Sequence, residues 1–89
     1  MPTYVLNDGT YNVEEFRSGA DKALLGLEMY GTQQVKVKLL FEPREVTSDN
    51  ADLEIERWRY EVPFINMVIH GKNIQGQTGT VTISGKSTS

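Results

Sequence analysis

Between Leu53 and Phe64 the apolar side chains change parity, and few features constrain a chain of this size more tightly. Leu53 and Ile55 alternate with Asp52, Glu54 and Glu56, whereas Trp58, Tyr60, Val62 and Phe64 alternate with Arg57, Arg59 and Glu61. Period-two alternation marks a strand with one buried face and one wet face. A one-residue slip would turn part of the apolar set toward water, unless an extra residue at Glu56-Arg57 is absorbed as a β-bulge. The alternative is that one strand ends here and another begins. Pro63 has no N–H for a ladder and belongs at an edge, a bulge or a strand boundary. Beyond it, Phe64 to Ile69 is apolar on both parities apart from Asn66, which reads as burial on two sides or contact with a second subunit.

The rest of the chain supplies further strands and, on its signals, one helix. Tyr4-Val5-Leu6 reads as a short strand entering a tight turn at Asn7-Asp8-Gly9-Thr10, because Asp-Gly favours the positive φ angles of hairpin turns. Asn12 and Glu15 have the spacing of a capping box, and Tyr11 and Phe16 that of a hydrophobic staple. Together they predict a helix from Val13, with a stripe of Val13, Phe16, Ala20, Ala23, Leu24 and Leu27. Leu25, Leu27 and Met29 also alternate with Gly26, Glu28 and Tyr30, so this segment has a competing strand reading. Val35, Val37, Leu39 and Phe41 give the cleanest period-two pattern, closed by Pro43, and Glu42 to Asn50 reads as a charged surface excursion. After a turn at Gly71-Lys72-Asn73, Val81 and Ile83 mark a last strand. The expected fold is α+β: a single domain over residues 1–86, an antiparallel sheet or sandwich of about four to six strands with one early helix packed on it. Residues 87–89 are expected to fray.

At 89 residues the chain makes one domain that buries only roughly 60–65% of its unfolded surface. With no cysteine, neither disulfides nor thiolate metal sites reinforce it. The net charge of −3 argues against nucleic acid as a partner, since phosphate contacts need clustered Lys and Arg. Glu42, Glu45, Asp49, Asp52, Glu54 and Glu56 face Arg44 alone in the middle of the chain, while Lys72 and Lys86 lie in a tail free of acids. Those two segments would attract each other between subunits, head to tail. No apolar run reaches membrane-spanning length, and MPTYVLNDG lacks the pattern of a signal peptide.

Signals for catalysis are thin, and no enzyme activity or cofactor is expected. His70, the one side chain with an ordinary pKa near neutrality, stands without a nucleophile or orienting acid in a recognisable context. Asp49 to Glu54 offers oxygen ligands but places Ala51 and Leu53 where a calcium loop needs alternate donors. The glycines at 71, 76, 79 and 85 read as turns. Arg57-Trp58-Arg59-Tyr60 has the residue types that meet nucleic acid, yet parity puts Trp58 and Tyr60 on the face opposite the arginines, and Glu54, Glu56 and Glu61 flank them. Trp58, Arg57, Arg59, Phe64, Ile69, Glu54 and Glu56 are therefore the candidate protein-interface residues.

The run YEVPFINMVIHGKNIQG, a long strand entering a Gly-Lys turn, resembles the late strand and turn of tube-forming proteins of contractile phage tails and related small virion proteins. That resemblance implies a β-sandwich with one helix that builds rings through its sheet edges, a homo-oligomeric virion component of tail-tube, decoration or connector type, located in the virion or the host cytoplasm. Its partners would be itself or other virion proteins. The alternative is a small acidic inhibitor or adaptor that docks its Glu42 to Glu56 region on a basic protein partner.

Overall fold

The computed structural model describes residues 4–6 and 11–85. Among them are eight strands: β1 (Tyr4–Leu6), β2 (Asn12–Ser18), β3 (Lys22–Met29), β4 (Gly31–Lys38), β5 (Pro43–Ser48), β6 (Leu53–Glu61), β7 (Phe64–Gly71) and β8 (Gln77–Gly85). They form two four-stranded antiparallel sheets, β1-β4-β7-β6 (sheet A) and β2-β3-β8-β5 (sheet B). The sheets stack face to face, with contacts across the layer from β1 to β2, β3 to β7 and β5 to β6.

Alternation decides which side chains fill the layer. In β7, Ile65, Met67 and Ile69 point inward, and in β3 Ala23, Leu25, Leu27 and Met29 do the same, all of them buried. Val35 and Val37 of β4 and Val81 and Ile83 of β8 complete the centre. Each fully buried aliphatic side chain of this kind stabilises the fold by roughly 1.5–3 kcal/mol. The change of parity in β6 is a bulge: Ile55 pairs with Ile69, Arg57 with Val68 and Trp58 with Met67, leaving Glu56 as the extra residue. Leu53, Ile55, Trp58 and Tyr60 thereby all reach the core. Pro63 lies in the β6–β7 turn, as its missing N–H requires.

Between β3 and β4, β4 and β5, β5 and β6, and β7 and β8 the chain changes sheets. Only Tyr30 separates β3 from β4, and Gly31 makes the turn with φ of +75°, a conformation that L side chains rarely adopt. β7 crosses back to β8 through residues 72–76.

The expected helix is absent, and the fold is all-β among the described residues. Asn12 to Met29 is a hairpin in which Val13 pairs with Leu27 and Phe16 with Leu25. A second bulge, at Glu14, explains the misleading pattern. It turns the strand spacing of two into a spacing of three, so that Val13 and Phe16 imitate one turn of a helix while both face the sandwich core. Asn12 caps nothing, because its Nδ2 donates instead to Glu28 Oε1 at 2.8 Å across the hairpin. Leu25 to Met29, open to both readings, is strand. Glu42 to Asn50 is also corrected. Pro43 opens β5 instead of closing β4, and Val46 packs against the core opposite Ile83. An edge strand tolerates this proline and these charges, since one side of its ladder is free. The Tyr4–Leu6 strand and the final strand stand as expected. The turn expected at residues 7–10 and the end at 87–89 lie outside the described residues.

Candidate functional site

The side chains that do not enter the core make two broad outer faces, and register fixes their membership. On sheet A, rows run across three strands: Thr32, His70 and Glu54; Gln34, Val68 and Arg57; Lys36, Asn66 and Arg59; Lys38, Phe64 and Glu61. Gln34 Nε2 donates to Asn66 Oδ1 at 3.3 Å, and Asn66 Nδ2 donates to Glu61 Oε1. Arg59 Nη2 lies 3.1 Å from Glu61 Oε2, and the Lys36 ammonium sits 5.1 Å from the Phe64 ring centroid. Gln34, Arg57, Trp58, Arg59, Glu61, Asn66 and Val68 line a shallow depression of about 420 Å³. Arg57 is exposed and has no ion-pair partner among the described residues.

On sheet B, the outward side chains are mostly polar, with threonines and acids prominent. Thr78, Thr80 and Thr82 run along β8 beside Glu28, Gly26 and Leu24 of β3. Glu14 and Glu15, with Gly26, Leu27, Thr78 and Thr80, border a second depression of about 360 Å³. Arg17 Nε reaches Glu15 Oε1 at 3.3 Å, while Glu14 has no such partner among the described residues. Glu28 Oε1 accepts from Tyr30 Oη and Asn12 Nδ2, both at 2.8 Å. The bond from Tyr30, then that from Asn12, holds the Glu28 carboxyl below the usual glutamate range. The same bond to Glu28 pushes the Tyr30 phenol up.

The two faces carry opposite charge. Sheet A presents Lys36, Arg57, Arg59 and Lys72, four of the nine basic residues, against Glu54, Glu61 and the bulged Glu56, while Lys38 is buried. Sheet B presents Glu14, Glu15, Glu28, Glu45 and Asp49 against Arg17, Lys22 and Arg44. The first face has a surplus of one positive charge and the second a surplus of two negative ones, on a chain whose total is −3. Among the described residues the most exposed large apolar side chains, Leu40, Val62 and Ile74, lie in connections and on neither face.

The candidate interface residues fall into two groups. Arg57, Arg59, Glu54, Glu56 and the half-buried Phe64 belong to sheet A's outward surface or its bulged edge. Trp58 packs half-buried against the core and also lines the sheet A depression, whereas Ile69 is fully buried between the sheets. The acidic middle of the chain is dispersed: Glu45 lies on sheet B, Glu54 on sheet A, and Asp52 in a turn. Glu54 is also engaged internally, 3.7 Å from Lys72 Nζ. Glu14, Gln34 and Asn66 went unmarked in the sequence because only strand register brings them to a face.

The oxygens of the Asp49 to Glu54 stretch are used in the β5–β6 turn. Asp49 Oδ1 accepts the Thr80 N–H at 2.8 Å, and Asn50 Oδ1 accepts the Asp52 N–H at 2.9 Å. Among the described residues no cluster of three His, Asp or Glu side chains is placed to hold a metal ion. His70 Nδ1 is 2.8 Å from Thr32 Oγ1 on open sheet surface, outside both depressions. Glu54 lies opposite His70 in register but is turned to Lys72. Among the described residues no helix is long and apolar enough to cross a membrane. No protein family matches the chain, and neither curated proteins nor solved structures match it.

Proposed function

We propose that this chain is a non-enzymatic structural module that self-associates, in keeping with its resemblance to small virion components. The observation that carries this reading is the opposite charge of the two outer faces, which makes one copy complementary to another. Edge pairing of the kind implied by the resemblance is disfavoured. β1 has three residues, and β2, β5 and β6 are interrupted at Glu14, Arg44 and Glu56, so every edge strand is short or bears a charged irregularity. Association through faces remains open to the molecule. The competing adaptor reading needs a contiguous acidic surface, which the dispersal of Glu42 to Glu56 over both faces and two turns does not supply.

Light scattering on a size-exclusion column, over a wide range of loading concentration, tests the proposal. A mass that rises with concentration, or a discrete ring-sized species, supports it. A monomer of 10.0 kDa at every concentration refutes it.

A further inference from the structure

Resting on the assembly reading, we infer that copies stack heterologously, the outer face of sheet A on the outer face of sheet B of the next copy, with Arg57 entering the Glu14–Glu15 depression. The two depressions are of similar size, about 420 and 360 Å³, and each holds an unpaired charge at its rim, Arg57 in one and Glu14 in the other. Face A meeting a second face A would oppose two surfaces that each carry a positive surplus. Face B meeting face B would oppose Glu14, Glu15 and Glu28 in the same way. Only A on B is attractive, and a contact between two different surfaces does not close on itself in a dimer. It continues into a ring or an open stack.

Area sets the strength. Four strands about 4.8 Å apart and about eight residues long at roughly 3.3 Å each span a projected face of about 500 Å². Standard interfaces bury about 800 Å² per partner, so the whole face is needed and the contact is weak. Its polar and charged make-up ties it to ionic strength.

The test uses the full chain in three forms at low salt, monitored by sedimentation velocity. Arg57→Glu spoils face A and Glu14→Lys spoils face B; each alone should weaken association by about tenfold or more. Both sites are exposed, and circular dichroism of each variant confirms that the fold is intact. Mixing the two single variants should restore association, because the intact face A of E14K meets the intact face B of R57E and the two exchanged charges attract each other in turn. The double variant R57E/E14K should recover self-association. If wild type associates but the single variants associate equally well, or their mixture regains no association, the A-on-B contact is wrong and the assembly reading stands. If wild type itself never associates, the assembly reading is what fails.

Discussion

Gly71 closes β7 at the corner where the sheets converge, and it is where a single methyl group should be felt most. A Cβ on Gly71 would lie 2.8 Å from Gln77 Cβ, 3.0 Å from Met29 Cβ and 3.1 Å from the Met29 carbonyl oxygen. Carbon atoms prefer about 3.5–4.0 Å, so β7 and the adjoining ends of β3 and β8 must separate by about 0.7 Å or more. None of these neighbours escapes by rotating a side chain, because two are Cβ atoms and one is main chain. Overpacking of this kind costs about 1–3 kcal/mol, against a gain of about 0.4–1 kcal/mol from the stiffer unfolded chain. Gly71→Ala should therefore destabilise by about 1–2 kcal/mol, a fall in Tm of roughly 5–15 °C for a domain of this size. Trp58 is half-buried against the core, so its fluorescence reports the thermal transition. Gly19→Ala is the control: its Cβ would meet only the Lys22 carbonyl oxygen at 3.6 Å, and its Tm should hold or rise slightly. If Gly71→Ala melts like wild type, the sheets do not converge as described.

Other consequences are as direct. Deleting Glu56 leaves Ile55, Trp58 and Tyr60 on the core side of a regular β6, so the fold should survive by circular dichroism, while the unbulged edge should raise thioflavin-positive aggregation; loss of the fold would show that the bulge does not set the register. Met67→Ala, at a fully buried position, should cost about 2–5 kcal/mol in denaturant unfolding, whereas Arg57→Ala should stay within about 0.5 kcal/mol. Because Glu28 titrates below its ordinary value of 4.5, the folded state binds its proton less readily than the unfolded chain. Its contribution to stability is complete above pH 4.5 and fades as pH falls through the lowered native pKa. Removing the leading donor with Tyr30→Phe should move the Glu28 titration upward in carboxyl-resolved NMR, and an unchanged titration would contradict the bond.

The sequence made β6, β7, β4 and β8 legible because their inward residues keep period two, and at Glu56 the break in parity itself revealed the bulge. The same device at Glu14 misled. There the bulge placed Val13 and Phe16 three apart, and Asn12, Glu15 and Tyr11 happened to carry the residue types of a helix start. What distinguished the cases was flanking information: Leu25, Leu27 and Met29 alternate just beyond the turn, and a hairpin needs a partner strand of matching length. β5 was hidden for another reason. An edge strand exposes most of its residues, so Arg44 and Glu45 look like loop, while Pro43, whose residue type suggests a turn, is buried and Val46 packs on the core. The charged faces were illegible because Lys36 and Arg59 are neighbours only through Asn66 of β7, a relation of register that no local window contains.

The central claim, that two oppositely charged faces make this chain self-associate, is tested most directly by the salt dependence of wild-type sedimentation velocity at a fixed high protein concentration. With screening lengths of about 30 Å at 0.01 M salt and about 3 Å at 1 M, association should be evident at low ionic strength and fall toward monomer at high. A sedimentation coefficient that stays at the monomer value across the whole range, or association that strengthens with salt, would contradict it.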